Sequence, residues 1–466
     1  MTAHDCTVFV LPGLGLDRSA ARAIAGELDS RFRVVSVELP GHGDAADAPH
    51  GSVEAQVDAA ASVIEAHADG GPWLLCAHSM GGKVAARLAA RVRDGELPTF
   101  GLLGMVLLAP SPPTPEPMPD EKRREMLSWV ADGPIAEADA RTFVDDNLGA
   151  PLPPTTEQAV LDAVQAVSPV AWRRWLEQGS REDVADAVGV LDLPCVVLAG
   201  DDDDQLGAAA QPALLADVYP RARFVALEQA GHLLPYERSA EVGQAIEQLW
   251  DEIVAHSARV PAEWGRLLSS PRTTDRVRRT LSRRALPDDP AYRPRTLSPA
   301  QLDLLREIAD RLVPQPDGSR IDVAARVDAD LAAGGGDGWR PAGALSDDEA
   351  YRVGLDDLAR GWPVSAKEQD ALIAAVAAGK GVEGGRIPPD DLRRWFEDLR
   401  VDVVREWLCH PASLARIGYD GFATGAEDLA FAGFETLRAD ARDAWEPSEL
   451  GEPVTEDDLI DEGEAA

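Results

Sequence analysis

The strongest constraint on this chain is a rhythm. Over roughly its first 250 residues, short apolar runs alternate with amphipathic ones. Residues 7–11, 34–39, 73–77, 102–109, 195–199 and 224–227 are each short, rich in Val and Leu, and bounded by Gly, Pro or charge. Runs of that kind read as buried strands. Between them, 53–68 and 83–93 carry helical spacing, and 238–256 closes the series. Strand–helix alternation gives a parallel sheet with helices on both faces. The predicted fold class is α/β, a doubly wound and mostly parallel sheet.

The rhythm breaks once. From about 110 to 192 no strand-like run occurs, and helical patterns appear at 121–130, 156–167 and 170–178. A helical insertion between two strands of a parallel sheet predicts a cap, about 111–192, over the strands' carboxyl ends. Residues 257–296 change character again. They hold ten arginines against four acids, with Pro at 261, 271, 287, 290 and 294. This composition predicts a basic linker with little core of its own. Its charge either lies on the acidic domains or meets an anionic partner.

From 297 the pattern is all-helical. Ser298 is placed as an N-cap with Pro299 at the first helical position. Leu302, Leu305, Ile308, Ala309 and Leu312 then follow a period of 3.6. Further helices are predicted at 347–360, 366–378, 390–407 and 426–445, with a Gly-rich loop at 333–343. The predicted organisation is a domain over 1–256, the linker 257–296, an all-α domain over 297–448, and a disordered acidic tail over 449–466.

Bulk properties narrow the function classes. The 466 residues are 45% hydrophobic, enough for a large core. A formal net charge of −36 disfavours nucleic acid and anionic membranes as partners. No run of 18 apolar residues is present, and the first residues lack a basic stretch followed by an apolar one. The expectation is a soluble cytoplasmic protein. Cys6, Cys76, Cys195 and Cys409 are far apart and show no metal-type spacing.

The chemistry concentrates at Ala77-His78-Ser79-Met80-Gly81, where the apolar run from Trp73 meets a helix. A serine on a sharp strand-to-helix turn, with small residues two before and two after, is the pattern of a nucleophile elbow. The turn puts the hydroxyl at a helix N-terminus, where amide dipoles favour developing negative charge. Ser79 is read as a nucleophile. The run 224–227 leads to Gln229-Ala230-Gly231-His232, and His232 is read as its base. Between the two in sequence, the run 195–199 ends in Gly200 and four aspartates, 201–204.

With these residues in this order, residues 5–256 resemble the α/β-hydrolase family. The family's Gly-x-x-Asp pattern maps onto Gly200 and Asp203 as the third triad member. Four consecutive aspartates leave Asp204 as the alternative. The resemblance also implies an oxyanion hole from the backbone N–H groups of Met80 and Leu14, with Pro12 standing where the family usually has His. His42, in a further loop that matches the family, is read as structural. Serine rather than aspartate at the elbow excludes dehalogenase and epoxide hydrolase chemistry. It leaves esters, lactones, thioesters, amides and carbon–carbon cleavage, and the expected substrate is a small-molecule ester or lactone. Met118, Met126, Trp129, Trp172 and Trp175 in the cap either line an apolar pocket or pack the cap's own core. No cofactor and no metal is expected in this chain.

Farther on, Ile308-Ala309-Asp310-Arg311-Leu312-Val313-Pro314, Trp407-Leu408-Cys409-His410-Pro411, Ile417-Gly418-Tyr419-Asp420-Gly421 and Ala444-Trp445-Glu446-Pro447 resemble the small subunit (subunit 3) of gluconate 2-dehydrogenase. That resemblance implies a flavoprotein partner of the glucose–methanol–choline type docked on residues 297–448, with FAD in the partner. The alternative function is then an accessory subunit whose hydrolase activity is secondary or lost. The two roles are compatible. Oxidising a cyclic sugar hemiacetal gives a lactone, and a tethered hydrolase could open it. His410 and Tyr419 either approach a partner's active site or serve packing and helix termination.

Overall fold

The computed structural model describes residues 4–47, 52–316, 318–334 and 345–422. The expected helix 426–445, the motif 444–447, the tail 449–466 and most of the Gly-rich loop lie outside the described residues.

Six strands form one parallel sheet: β1 (Cys6–Leu11), β2 (Phe32–Ser36), β3 (Trp73–His78), β4 (Leu102–Leu108), β5 (Cys195–Gly200) and β6 (Ala222–Leu227), in the order 2-1-3-4-5-6. The apolar run at 34–39 reads longer than the strand. Its last residues, Val37 and Leu39, are buried past the strand's end: the Val37 N–H still donates to the Val10 carbonyl (2.9 Å), but Pro12, next on the β1 side, has no N–H to continue the ladder. Side chains alternate between the two faces, as a strand requires. Phe9, Leu11, Leu75 and Leu107 pack with the helices Val53–His67 and Met80–Arg93. Val8, Val10, Leu74, Cys76, Val106 and Leu108 pack with Arg18–Ala25 and Ser239–Ala255.

The cap between β4 and β5 contains the helices Asp120–Ser128, Glu137–Asp146, Pro154–Ala166 and Pro169–Glu177. The second of these has no counterpart in the sequence reading.

Residues 257–296 are not the coreless linker their composition predicts. They form the helices Ala262–Ser269 and Asp275–Arg284, and Leu268, Leu281 and Ala285 bury themselves against Phe100. Arg278 explains the misreading. Its side chain is buried, and it donates to the carbonyls of Leu268 (3.0 Å), Gly95 (3.1 Å), Ser270 (3.3 Å) and Thr273 (2.8 Å) and to the Asp275 carboxylate (2.8 Å). A guanidinium with its donors satisfied can be a core residue. The first helix also packs backbone to backbone on Gly70 (φ 71°), where a side chain would strike Ala262 and Arg266.

From residue 297 on, the described helices are Pro299–Leu312, Val323–Ala332, Asp347–Gly361, Ala366–Ala377, Pro389–Leu408 and Pro411–Ile417, and the first five share one apolar cluster. Ser298 caps the first helix in a reciprocal box with Gln301. Buried Asp328 ties the entry strap to this bundle. It accepts from Tyr292 Oη (2.7 Å) and from the backbone N–H groups of Arg295 (2.7 Å), Thr296 (3.1 Å) and Leu297 (2.7 Å). His410 is buried, and its Nδ1 accepts the Ala412 N–H (3.1 Å) to start the last helix, whereas Tyr419 is exposed. No helix among the described residues is long and apolar enough to cross a membrane.

Arg278→Ala should destabilise the protein by about 2–4 kcal/mol, because it strands buried carbonyls and removes packing. Arg276→Ala, at an exposed position on the same helix, should stay within about 0.5 kcal/mol. Denaturant unfolding of both variants checks this. Equal midpoints would restore the reading of this segment as a linker.

Candidate active site

The chain runs from β1 outward to β2 and then returns to pair β3 on the other side of β1, with Leu11 opposite Ala77. Strand order reverses at this point, and the loops leaving β1 and β3 diverge around a crevice at the carboxyl edge. The sequence puts 12–15 in the first loop and Ser79 in the second.

Ser79 stands between β3 and the helix Met80–Arg93 with φ 50° and ψ −120°. A serine at positive φ is strained and must be held. Its N–H donates to the Leu108 carbonyl (3.0 Å), and its own carbonyl accepts from Gly82 (2.7 Å) and Ser111 (2.9 Å). Gly81 is obligatory: a Cβ there would sit 2.7 Å from the Pro12 carbonyl oxygen and 2.8 Å from that of Leu11.

His232 Nε2 lies 2.8 Å from Ser79 Oγ, and its Nδ1 lies 2.6 Å from Asp203 Oδ2. Asp203 Oδ1 accepts the N–H groups of Gln205 (3.0 Å) and Leu206 (2.9 Å). Of the two aspartates left open by the sequence, Asp203 therefore meets the imidazole, and Asp204 is exposed. Burial disfavours the ionised carboxylate of Asp203, but the His232 charge and hydrogen bonds outweigh it and hold the group down at about 2. Burial also disfavours the imidazolium of His232. The charge and hydrogen bond of Asp203, with Glu116 and Glu237 adding, outweigh that and raise it above the ordinary value. A carboxylate at Nδ1 fixes that nitrogen as the donor, which leaves Nε2 free to accept the Ser79 proton.

Several residues that no motif flagged hold this geometry. The N–H groups of His232 and Leu233 donate to the Asn147 carbonyl (2.8 and 3.2 Å), so the cap positions the histidine loop. Glu237 Oε2 accepts from Gly149 (2.8 Å), Ala150 (3.2 Å) and Gly231 (3.2 Å), clamping the same two segments. His78 Nε2 donates to the His232 carbonyl (2.8 Å). Burial and the neighbouring His232 push the His78 ring down to about 3, so it stays neutral. Lys83, four residues after Ser79, is fully buried and donates to the carbonyls of Gly179 (3.2 Å), Ser180 (3.4 Å) and Glu182 (2.8 Å) in the cap. Burial lowers it to about 8. A lysine on the apolar stripe of its helix was the signal available in the sequence.

A cavity of about 350 Å³ opens on Ser79 and His232. Leu14 lines it, while the Met80 side chain is packed into the core behind the elbow. Of the apolar cap candidates, Met118, Met126 and Trp175 line the cavity. Trp172 and Trp129 do not. Trp172 is fully buried with its Nε1 on the Met126 carbonyl (2.8 Å), and Trp129 stacks against it at 6.0 Å. Those two form the cap's own core. Leu16, Phe143, Leu206 and Leu233 add apolar lining, and the polar part is rich in acids, including Glu116, Asp146, Asp202 and Asp204. A wider groove of about 630 Å³, between Asp275–Arg284 and Pro389–Leu408, holds none of the Ser79, Asp203 and His232 constellation. Among the described residues, no group of three or more His, Cys, Asp or Glu is arranged to hold a metal.

Known structures include similar chains. A thermophilic esterase from Thermogutta terrifontis is 25% identical, with 54% of this chain and 91% of that one covered and a TM-score of 0.44. The enol-lactonase from Burkholderia xenovorans LB400 is 20% identical over 54% and 92%, with a TM-score of 0.44. A bromoperoxidase from Bacillus anthracis is 15% identical over 53% and 92%, with a TM-score of 0.46. No curated protein matches the sequence. The sequence model of the Alpha/beta hydrolase family matches residues 8–245, half of the chain. The chain belongs to the alpha/beta hydrolase family.

Proposed function

We propose that this hydrolase cleaves a small-molecule ester or lactone through an acyl-enzyme on Ser79. The observation that carries the reading is the continuous hydrogen-bonded chain Ser79–His232–Asp203 lining one cavity. Ser79 Oγ attacks the substrate carbonyl while His232 Nε2 takes its proton. The negative charge that develops on the carbonyl oxygen faces the N–H groups of Met80 and Leu14. His232 then protonates the leaving alcohol, and a water molecule, deprotonated by the same nitrogen, releases the acid. In a lactone the alcohol stays attached to the acyl group, and the ring opens. Asp203 acts through the imidazole, fixing its tautomer and stabilising its charged form.

Ser79→Ala should lower kcat by on the order of a millionfold, and Asp203→Asn by about ten-thousandfold. Asp204→Asn should remain within a few fold of the parent. Steady-state rates on an ester and lactone series check all three, and equal, near-parental rates in both aspartate variants would sink the role of this loop.

The pH profile follows from the sign of the His232 shift. The base must be neutral, and its ionisation lies above the ordinary imidazole value. Activity should therefore fall as pH drops through a point above about 6.5. Asp203→Asn removes the charge that raises His232, so the residual activity should lose its acid limb at a lower pH. A limb that does not move would contradict the coupling.

A further inference from the structure

Glu116 lines the cavity and is fastened from both sides without taking part in the Ser79–His232–Asp203 chain. Its backbone N–H donates to the Ser180 carbonyl (2.8 Å), which pins it to the cap. Its Oε2 accepts from Ser111 Oγ (2.8 Å), and the Ser111 N–H in turn donates to the Ser79 carbonyl (2.9 Å). The carboxylate is thus tied through a single residue to the nucleophile's own peptide, and it faces the cavity that Ser79 and His232 share. Among the described residues, Ser111 is its one side-chain hydrogen-bond partner, and no Lys or Arg nitrogen lies within ion-pairing distance.

The charged lining is mainly acidic. Asp146, Asp202, Asp203 and Asp204 line the same cavity. Its one lysine, Lys122, is committed to Asp146 (2.5 Å) and Glu125 (3.4 Å). Burial pushes the Glu116 carboxyl upward, and Ser111, with the charges of His232, Lys83 and Arg123, opposes that rise. A fixed acceptor in a negative, partly desolvated cavity favours a group that brings a donor or a positive charge. It penalises one that brings another carboxylate.

We propose that Glu116 is a specificity-determining residue that accepts a hydrogen bond from a hydroxyl or ammonium group of the substrate, so that the site takes neutral or cationic donor-bearing esters and lactones and rejects carboxylate-bearing ones. This rests on the hydrolase reading above. It also gives the product a direction. Hydrolysis converts a neutral acyl group into a carboxylate plus a proton, and the negative cavity repels the new anion toward solvent.

The test uses the full chain and p-nitrophenyl esters of four six-carbon acids whose far ends are methyl, hydroxyl, ammonium and carboxylate. The readout is the ratio of kcat/KM for each ester to that of the methyl-ended one. A ratio taken within one protein does not depend on the folded fraction. The parent should prefer the ammonium and hydroxyl ends by about tenfold or more and disfavour the carboxylate end similarly. Glu116→Gln should cut the ammonium preference by about tenfold, and Glu116→Leu should abolish the hydroxyl preference as well. The same esters are titrated calorimetrically into Ser79→Ala and into Ser79→Ala/Glu116→Gln, which reads the order of affinities without turnover. No Ser79-dependent hydrolysis with the affinity order intact would overturn the hydrolase reading and leave the cavity's preference standing. An affinity order that is flat, or identical with and without Glu116, would overturn the present proposal.

Discussion

Everything at the candidate site depends on one strained peptide turn. Ser79 is held at a positive φ that costs on the order of 1–3 kcal/mol. It persists because three backbone hydrogen bonds, to Leu108, Gly82 and Ser111, leave it no alternative. Gly82 belongs to the helix that follows, whereas Leu108 and Ser111 are within reach because β3 is a central strand with β4 beside it. The parallel sheet is therefore the device that holds the turn. The glycine at 81 lets the strand end at Leu11 come close enough for the loop bearing Leu14 to face the same crevice.

The cap does more than cover the crevice. It supplies the Asn147 carbonyl that orients the His232 loop, and it is fastened to the helix after Ser79 by Lys83 and to the β4 exit by Glu116. Buried charge without a partner is expensive, and here each charge is met by carbonyls, hydroxyls or N–H groups. The cap and the Ser79–His232–Asp203 geometry are thus one mechanical unit. A change in the cap's packing would reach the imidazole through Asn147 and Glu237 with no contact to Ser79 itself.

The sequence was most informative where burial imposes a pattern. All six strands follow from continuous apolar runs, and Ser79 and His232 stand out because each follows a strand at the sheet's carboxyl edge. It was ambiguous where several residues carry the same chemistry. Four aspartates in a row all satisfy a requirement for a carboxylate, and only the fold of the loop, with Gln205 and Leu206 donating to residue 203, brings one of them to the imidazole. It misled where composition stood in for environment. The arginines of 257–296 signalled solvent, yet Arg278 finds carbonyl acceptors in a buried site. Two of the cap tryptophans, 129 and 172, were as plausible for a pocket as Trp175 until their partners were known. Glu116 left no trace, since a lone acid among prolines has no periodicity to read.

The central claim is that Ser79 is a nucleophile activated by His232. Treating the protein with a fluorophosphonate and mapping the adduct by peptide mass tests it directly. The account predicts a single stoichiometric adduct on the peptide containing Ser79, formed more slowly as His232 becomes protonated at lower pH. An adduct on another residue, or none at neutral pH in folded protein, would contradict it.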